Sequence, residues 1–343
     1  MYGTCLVLAL LLQQNALEGE WTRLSPLPDP TGLAGCFAGI SHGVLLVAGG
    51  AQFPGKKPWE GGAKRWHDTI YRLDQPDGRW RQVGTLPRPL AYGISATFRD
   101  RVVCIGGSNA EQHYADCFQM EWRNNVLFTT GLPTLPTTLA NACGVLLGSQ
   151  LYVIGGIEQP NSTTASKKVW VIDLADLEPH WRSLPPCPGP GRMFANAAAG
   201  RGILWIAGGT DLFQSKEGLI QRKYLKDAYS YTPESGWKAL ANLPYPVVAA
   251  PAPAPTDATG FYLLGGDDGS QVNTPHDKHP GFRKEILKYE SEQKRWLKCG
   301  LLTAPRVTAP CIIWQKSWIV PGGETHPGLR SPEVWRFQEK KLR

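Results

Sequence analysis

Six Gly-Gly pairs, each closing an apolar run, constrain this chain more than any other feature. The runs read VLLVAGG (44–50), VVCIGG (102–107), LYVIGG (151–156), LWIAGG (204–209), YLLGG (262–266) and WIVPGG (318–323). Successive pairs are 57, 49, 53, 57 and 57 residues apart. A unit recurring about every 50 residues, with one strand ending in two glycines, must stack on copies of itself to bury its apolar face. Glycine supplies the backbone angles and close approach that such a strand end needs. A seventh pair, Gly61-Gly62, follows no apolar run and belongs to a loop.

Each copy continues in the same way. A polar stretch is followed by a short apolar strand such as DTIYRL (68–73), KVWVIDL (168–174) or EILKY (285–289), and then by a Trp: Trp80, Trp122, Trp181, Trp237 or Trp296. Before each pair stands a strand of small residues, as in GCFAGIS, NACGVLL and ANAAAG. Small side chains suit the crowded axis of a propeller, and aromatics fill the widening space between its blades. The pattern predicts an all-β, six-bladed kelch-type β-propeller. The sixth copy lacks its Trp-x-x-Leu strand, and Trp21-Thr22-Arg23-Leu24 near the N-terminus supplies one. The N-terminal strand is therefore expected to complete the last blade and close the ring, which removes unpaired sheet edges.

The repeat makes residues 19–343 one domain, although 343 residues alone would suggest two or three. The net charge of +7 is modest, and no Lys/Arg-rich tract points to nucleic acid. Eight cysteines form no disulfide framework by spacing. Cys36, Cys143 and Cys311 fall on equivalent inner strands and read as buried small side chains. Residues 1–18 hold an apolar run, Leu6–Leu12, too short to cross a membrane. It reads as the core of a signal peptide, with Ala16 near a cleavage point, which implies a periplasmic or secreted protein free of the membrane once mature. The alternative is a mis-set start on a cytoplasmic protein.

Long, uneven loops follow the Gly-Gly ends, over 51–67, 157–167, 210–226, 267–284 and 324–332, whereas the opposite connections are short turns. Long loops on a compact fold carry function, so the mouth above the Gly-Gly ends is the expected site. These loops bring Lys56, Lys57, Glu60, Lys64, Arg65, His67 and Asp68 from the first blade. Asp211, Lys216, Glu217, Arg222 and Lys223 come from the fourth, and Glu324, His326 and Arg330 from the sixth. A cationic mouth with one or two carboxylates suits a small anionic ligand, since Arg can grip a carboxylate through two parallel bonds. A Glu near cations can act as general acid or base. His276 and His279 stand as His-x-x-His-Pro, a spacing too sparse in further ligands to mark a metal site. Asn161-Ser162-Thr163 is a glycosylation sequon, relevant only in a eukaryotic secretory host.

GLAGCFAGISHGVLLVAGGAQFPG (32–55), WEGGAKRWHDTIY (59–71), LAYGIS (90–95) and GGETHPGLRSPEVW (322–335) resemble the N-acetylneuraminate epimerases, the sialic acid mutarotases. The likeness runs from Trp21 to Phe337 in a circularly permuted order: segments like 32–120 come last in bacterial members and open the chain here. The resemblance implies a cofactor-free isomerase that interconverts the α and β anomers of N-acetylneuraminate. It implies that Glu60 is the proton acceptor, that Arg330 takes the sugar carboxylate and that Glu324 positions hydroxyls or shares the proton transfer. Lys64 also matches a family lysine and is counted with the substrate-binding residues. No metal is implied.

Three other readings compete. A non-enzymatic kelch interaction or carbohydrate-binding module needs none of this chemistry. A copper-radical oxidase of the galactose oxidase type needs paired His and Tyr ligands and a cross-linked Cys. A sialidase needs Ser-x-Asp-x-Gly-x-Thr-Trp repeats, which the sequence lacks.

Overall fold

Six antiparallel sheets follow one another along the chain, in a computed structural model that describes residues 17–340. Blade one pairs Phe37–Ser41, Val44–Ala48, Thr69–Leu73 and Arg81–Thr85 in chain order, from the axis outward. Blades two, three and four repeat this four-stranded order. In blade six, Ile312–Trp314, Ser317–Pro321 and Val334–Glu339 are completed by Gly19–Leu24. Trp21 lies opposite Phe337 and Leu24 opposite Val334, so the N-terminal strand closes the six-bladed β-propeller as the sequence predicts. The apolar run Leu6–Leu12 and Ala16 lie outside the described residues.

Blade five departs from the pattern. Its sheet has three strands, Gly260–Gly266, Arg283–Glu290 and Arg295–Leu301. The expected inner strand falls on VAAPAPAPT, where Pro251, Pro253 and Pro255 have no N–H to give to a ladder. Trp122 also departs: it lies on the third strand of blade two, Cys117–Arg123, and not on an outermost strand. The other repeated Trp residues share one task. The indole N–H groups of Trp80, Trp181, Trp237 and Trp296 donate to the carbonyls of Ser25, Pro133, Pro185 and Ala241, each on the preceding blade's outer connection. The seven described cysteines are all buried and free.

Five of the six Gly-Gly pairs join neighbouring blades. Both glycines of each pair have positive φ, as at Gly49 (64°) and Gly50 (100°). A Cβ on Gly49 would collide with the carbonyl of Leu90, and the amide of Gly50 donates to that same carbonyl at 2.9 Å. The relation repeats for Leu139, Arg192, Val247 and Leu33 at the pairs ending in Gly107, Gly156, Gly209 and Gly323. The first glycine thus makes room for the next blade and the second bonds to it.

A second device surrounds the axis. Gly35, Tyr92, Asn141, Phe194, Ala249 and Thr308, one between each pair of blades, all have φ between 53° and 69°. The amide of each donates to the carbonyl of the one before, and Gly35 donates to Thr308, all at 2.7–2.9 Å. The result is a closed ring of backbone hydrogen bonds at the Gly-Gly end of the axial channel. The residue before each ring member bridges to the residue after a Gly-Gly pair: Ala34 to Ala51, Ala91 to Ser108, Ala140 to Ile157, Met193 to Thr210, Val248 to Asp267 and Val307 to Glu324. The residues immediately after the Gly-Gly pairs therefore encircle the mouth.

Candidate active site at the propeller mouth

Glu324 is the residue after the sixth Gly-Gly pair, and its backbone is fixed by two bonds to Val307. It opens a short hairpin, Glu324–His326 with Leu329–Arg330. Gly328 turns this hairpin with φ 79°, lying against Pro58 where a side chain would not fit. The register sets Arg330 opposite Glu324. Their side chains form an ion pair, Nη1 to Oε2, at 2.6 Å. The Arg330 side chain is 3% exposed and that of Glu324 14%. Glu324 Oε1 accepts from Thr308 Oγ1 at 3.1 Å, and Oε2 accepts from the Gly328 amide at 3.0 Å. Arg330 donates from Nε to the Ala51 carbonyl (3.2 Å) and from Nη2 to the Tyr92 hydroxyl (3.3 Å), with its guanidinium over the Phe53 ring. Residues from blades one and six, more than 270 apart in the chain, meet here because the ring closes.

Lys64 joins this group from the first loop. Its ammonium lies 5.0 Å from the ring centre of Tyr92, 5.3 Å from Trp66 and 5.7 Å from Phe53. Burial lowers its pKa, the charge of Arg330 lowers it further, and Glu324 partly opposes the shift. Burial pushes the Tyr92 hydroxyl up to about 12, against the pull of Arg330. Arg330, Glu324 and Lys64, picked out in the sequence, are thus brought together.

Among the described residues Glu60 shares no hydrogen bond or ion pair with these three. It ends the 3₁₀ turn Pro58–Glu60, is exposed, and its Oε2 accepts from the Lys57 amide at 2.9 Å. Beside it, Trp59 stacks on His276 of blade five, with ring centres 4.4 Å apart and planes 10° from parallel. This bridge and the contact of Pro58 and Trp59 with Gly328 hold the first loop against the sixth-blade hairpin. His279 accepts from the Gly281 amide through Nδ1, and its ring centre is 6.1 Å from that of His326. Burial lowers the His279 pKa, and His326 adds to the effect. Among the described residues no three His, Cys, Asp or Glu side chains are grouped to hold a metal ion.

A cavity of about 270 Å³ opens between blades four, five and six, near the lower end of the ~300 Å³ at which small-molecule pockets begin. Glu324, Thr308, Phe194, Arg222, Asp267 and His279 are among its walls. Of these, Phe194, Thr308 and Asp267 were not singled out from the sequence. The signal was present: Asp267 directly follows a Gly-Gly pair, as Glu324 does.

Residues 6–129 match the model of the family described as N-acetylneuraminate epimerase. The N-acetylneuraminate epimerase of Salmonella enteritidis PT4 is 43% identical over 106 residues, covering 26% of this chain and 27% of that protein. That of Yersinia pestis strain Pestoides F is 41% identical over 114 residues, covering 27% and 28%. The matched segment therefore spans about a quarter of the length of these relatives. The family-model match over residues 6–129 contains Glu60 and Lys64, while Glu324 and Arg330 lie beyond it. Among solved structures, that of YjhT is similar over 91% of this chain and 95% of its own, with a TM-score of 0.65 and 18% identity, a likeness of fold. The chain is thus similar to the N-acetylneuraminate epimerases across its opening blades, on a propeller like that of YjhT.

Proposed function

We propose that this protein is a mutarotase that interconverts the α and β anomers of N-acetylneuraminate. The observation that carries the reading is the match to the epimerase family over residues 6–129, whose first loop packs against a carboxylate–guanidinium pair in the mouth. Opening the hemiketal ring requires a proton to leave the anomeric hydroxyl while the ring C–O bond breaks toward its oxygen, which takes up a proton. After rotation about the exposed ketone, the hydroxyl adds to the other face with the transfers reversed. The reaction is redox-neutral and needs only groups that hold and move protons.

Glu324 is the carboxylate we assign to this transfer. It lines the cavity, and Thr308, Gly328 and Arg330 fix its two oxygens. Arg330 is a positioning residue for it. Glu60, the acceptor implied by family likeness, is proposed for the rim, where its exposed carboxylate meets substrate on entry. The permuted order is likewise proposed. It rests on the motifs of residues 32–71 and 90–95, which open this chain. A closed ring tolerates such an order because every blade keeps its neighbours.

The test is proton NMR of freshly dissolved α-N-acetylneuraminate. Relaxation toward the β anomer should be faster with the wild-type protein than in buffer. A protein that binds the sugar without speeding relaxation is a carbohydrate-binding module instead.

A further inference from the structure

Arg330 is the obvious anchor for an anionic sugar, yet its guanidinium is enclosed and ion-paired with Glu324, even though Nη1 makes no aligned hydrogen bond. It is also bonded to Ala51 and Tyr92. Lys64 is the reverse case. The residue is half-buried, and its ammonium rests on the faces of Phe53, Trp66 and Tyr92. Among the described residues, no ion pair or hydrogen bond takes up its charge. Ring faces return only part of what an ammonium loses on leaving water, and an anion with hydrogen-bonding oxygens would supply more.

The neighbourhood is arranged for such an anion. Tyr92 is a member of the axial ring, so the cage floor is held by the backbone bonds that close the propeller. Arg330 adds a second positive charge nearby, felt at Lys64 as repulsion. An incoming carboxylate removes that repulsion. Glu324, which borders the same cluster, offsets only part of it.

We propose that Lys64, rather than Arg330, receives the carboxylate of an acidic sugar and so makes the mouth select sugar acids over neutral sugars. This rests on the mutarotase reading for the identity of the ligand, though not for the existence of the anion site. Lys64 and Arg330 lie over the same Phe53 ring, so the selecting charge stands next to the pair that holds Glu324 without using its guanidinium.

Calorimetric titration of two probes decides the matter: N-acetylneuraminate and its methyl ester, which keeps the shape and loses the charge. Wild type should prefer the acid by at least about tenfold, the scale of a hydrogen bond to a charged group. Lys64→Met should bind acid and ester alike, and Lys64→Arg should regain part of the preference. If Lys64→Met fails to fold, as judged by circular dichroism, Lys64→Gln takes its place. The proposal is overturned if the Lys64 variants keep the acid preference, or if wild type binds acid and ester equally or binds neither. Anomer relaxation is followed in parallel. Acid-selective binding that depends on Lys64 without faster relaxation sinks the mutarotase and leaves the Lys64 assignment standing.

Discussion

The amide of Gly35 donates to the carbonyl of Thr308 at 2.7 Å, across 273 residues of sequence, and this bond closes the axial ring. The same Thr308 donates its hydroxyl to Glu324, and Tyr92, the ring member that follows Gly35, accepts from Arg330 through its hydroxyl oxygen. One backbone device therefore both seals the propeller and sets the floor of the candidate site. Non-glycine residues seldom adopt left-handed backbone, and five of the six ring members do so here. The strain of about 1–2 kcal/mol at each is offset by the bond each one makes.

Gly35 is the ring member with no side chain, and a Cβ there would meet the Tyr92 ring at 2.6 Å. Gly35→Ala should cost about 1–3 kcal/mol, as overpacking does in a tight site. Urea unfolding should show a lower midpoint with an unchanged slope. A wild-type midpoint would mean that the ring gives way easily.

The first glycine of a Gly-Gly pair makes a sharper contrast. Gly49 and Gly43 both have positive φ, 64° and 81°. A Cβ on Gly43 meets open space, whereas on Gly49 it meets the Leu90 carbonyl. Gly43→Ala should cost about 1–2 kcal/mol from backbone strain alone. Gly49→Ala should cost about 1–3 kcal/mol more, because a neighbouring blade must shift. Equal losses, measured by the same unfolding titration, would rule out blade joining as the role of Gly49.

Much of this architecture was legible in the sequence because it repeats. Gly-Gly, the small inner-strand residues and the displaced Trp21 strand recur with a period, and period is what burial imposes on a chain of stacked units. The pattern asks for a small-residue strand before every pair, and at blade five three prolines stand where it would form. The site was legible only in its parts. Nothing local indicates that Arg330 spends its charge on Glu324, since that follows from a hairpin register set by Gly328. Nor does a Glu-Gly motif reveal that Glu60 caps its own turn. Such facts depend on contacts between blades one, five and six, which no single loop encodes.

Glu324 and Glu60 are separable by activity. Glu324→Gln keeps the shape and removes the proton acceptor, so anomer relaxation should slow by about 10²–10⁴-fold. Glu60→Gln, on the exposed rim, should act mainly on KM. The reverse ranking would place the chemistry at the rim and return the acceptor role to Glu60.

Arg330→Met tests the pair itself. It leaves Glu324 largely buried beside Thr308 with no counter-charge. Losing one partner of a buried pair should destabilise the fold by about 3–5 kcal/mol. The double variant Arg330→Met with Glu324→Gln should recover part of that loss. Additive losses in the double-mutant cycle would show that the two charges do not depend on each other.

Lys64 gives the molecule a signature in pH. Burial, with Arg330 close by, holds its pKa below the ordinary lysine value of 10.5. The buried ammonium is a full cost below the folded-state pKa. Between that pKa and 10.5 the unfolded chain binds more protons than the folded one, so this residue's contribution to stability rises with pH. Wild type should therefore gain stability relative to Lys64→Met as pH is raised toward 10.5, and the difference should level off above it. Over the same window the free protein loses the charge that we assign to the sugar carboxylate, so acid affinity falls while methyl ester affinity holds. Chemical unfolding and calorimetry at matched pH values read the two curves. Opposite slopes are the expected result, because one proton opposes folding and favours the ligand. A stability difference that stays flat up to pH 10.5 would place the Lys64 ammonium in water.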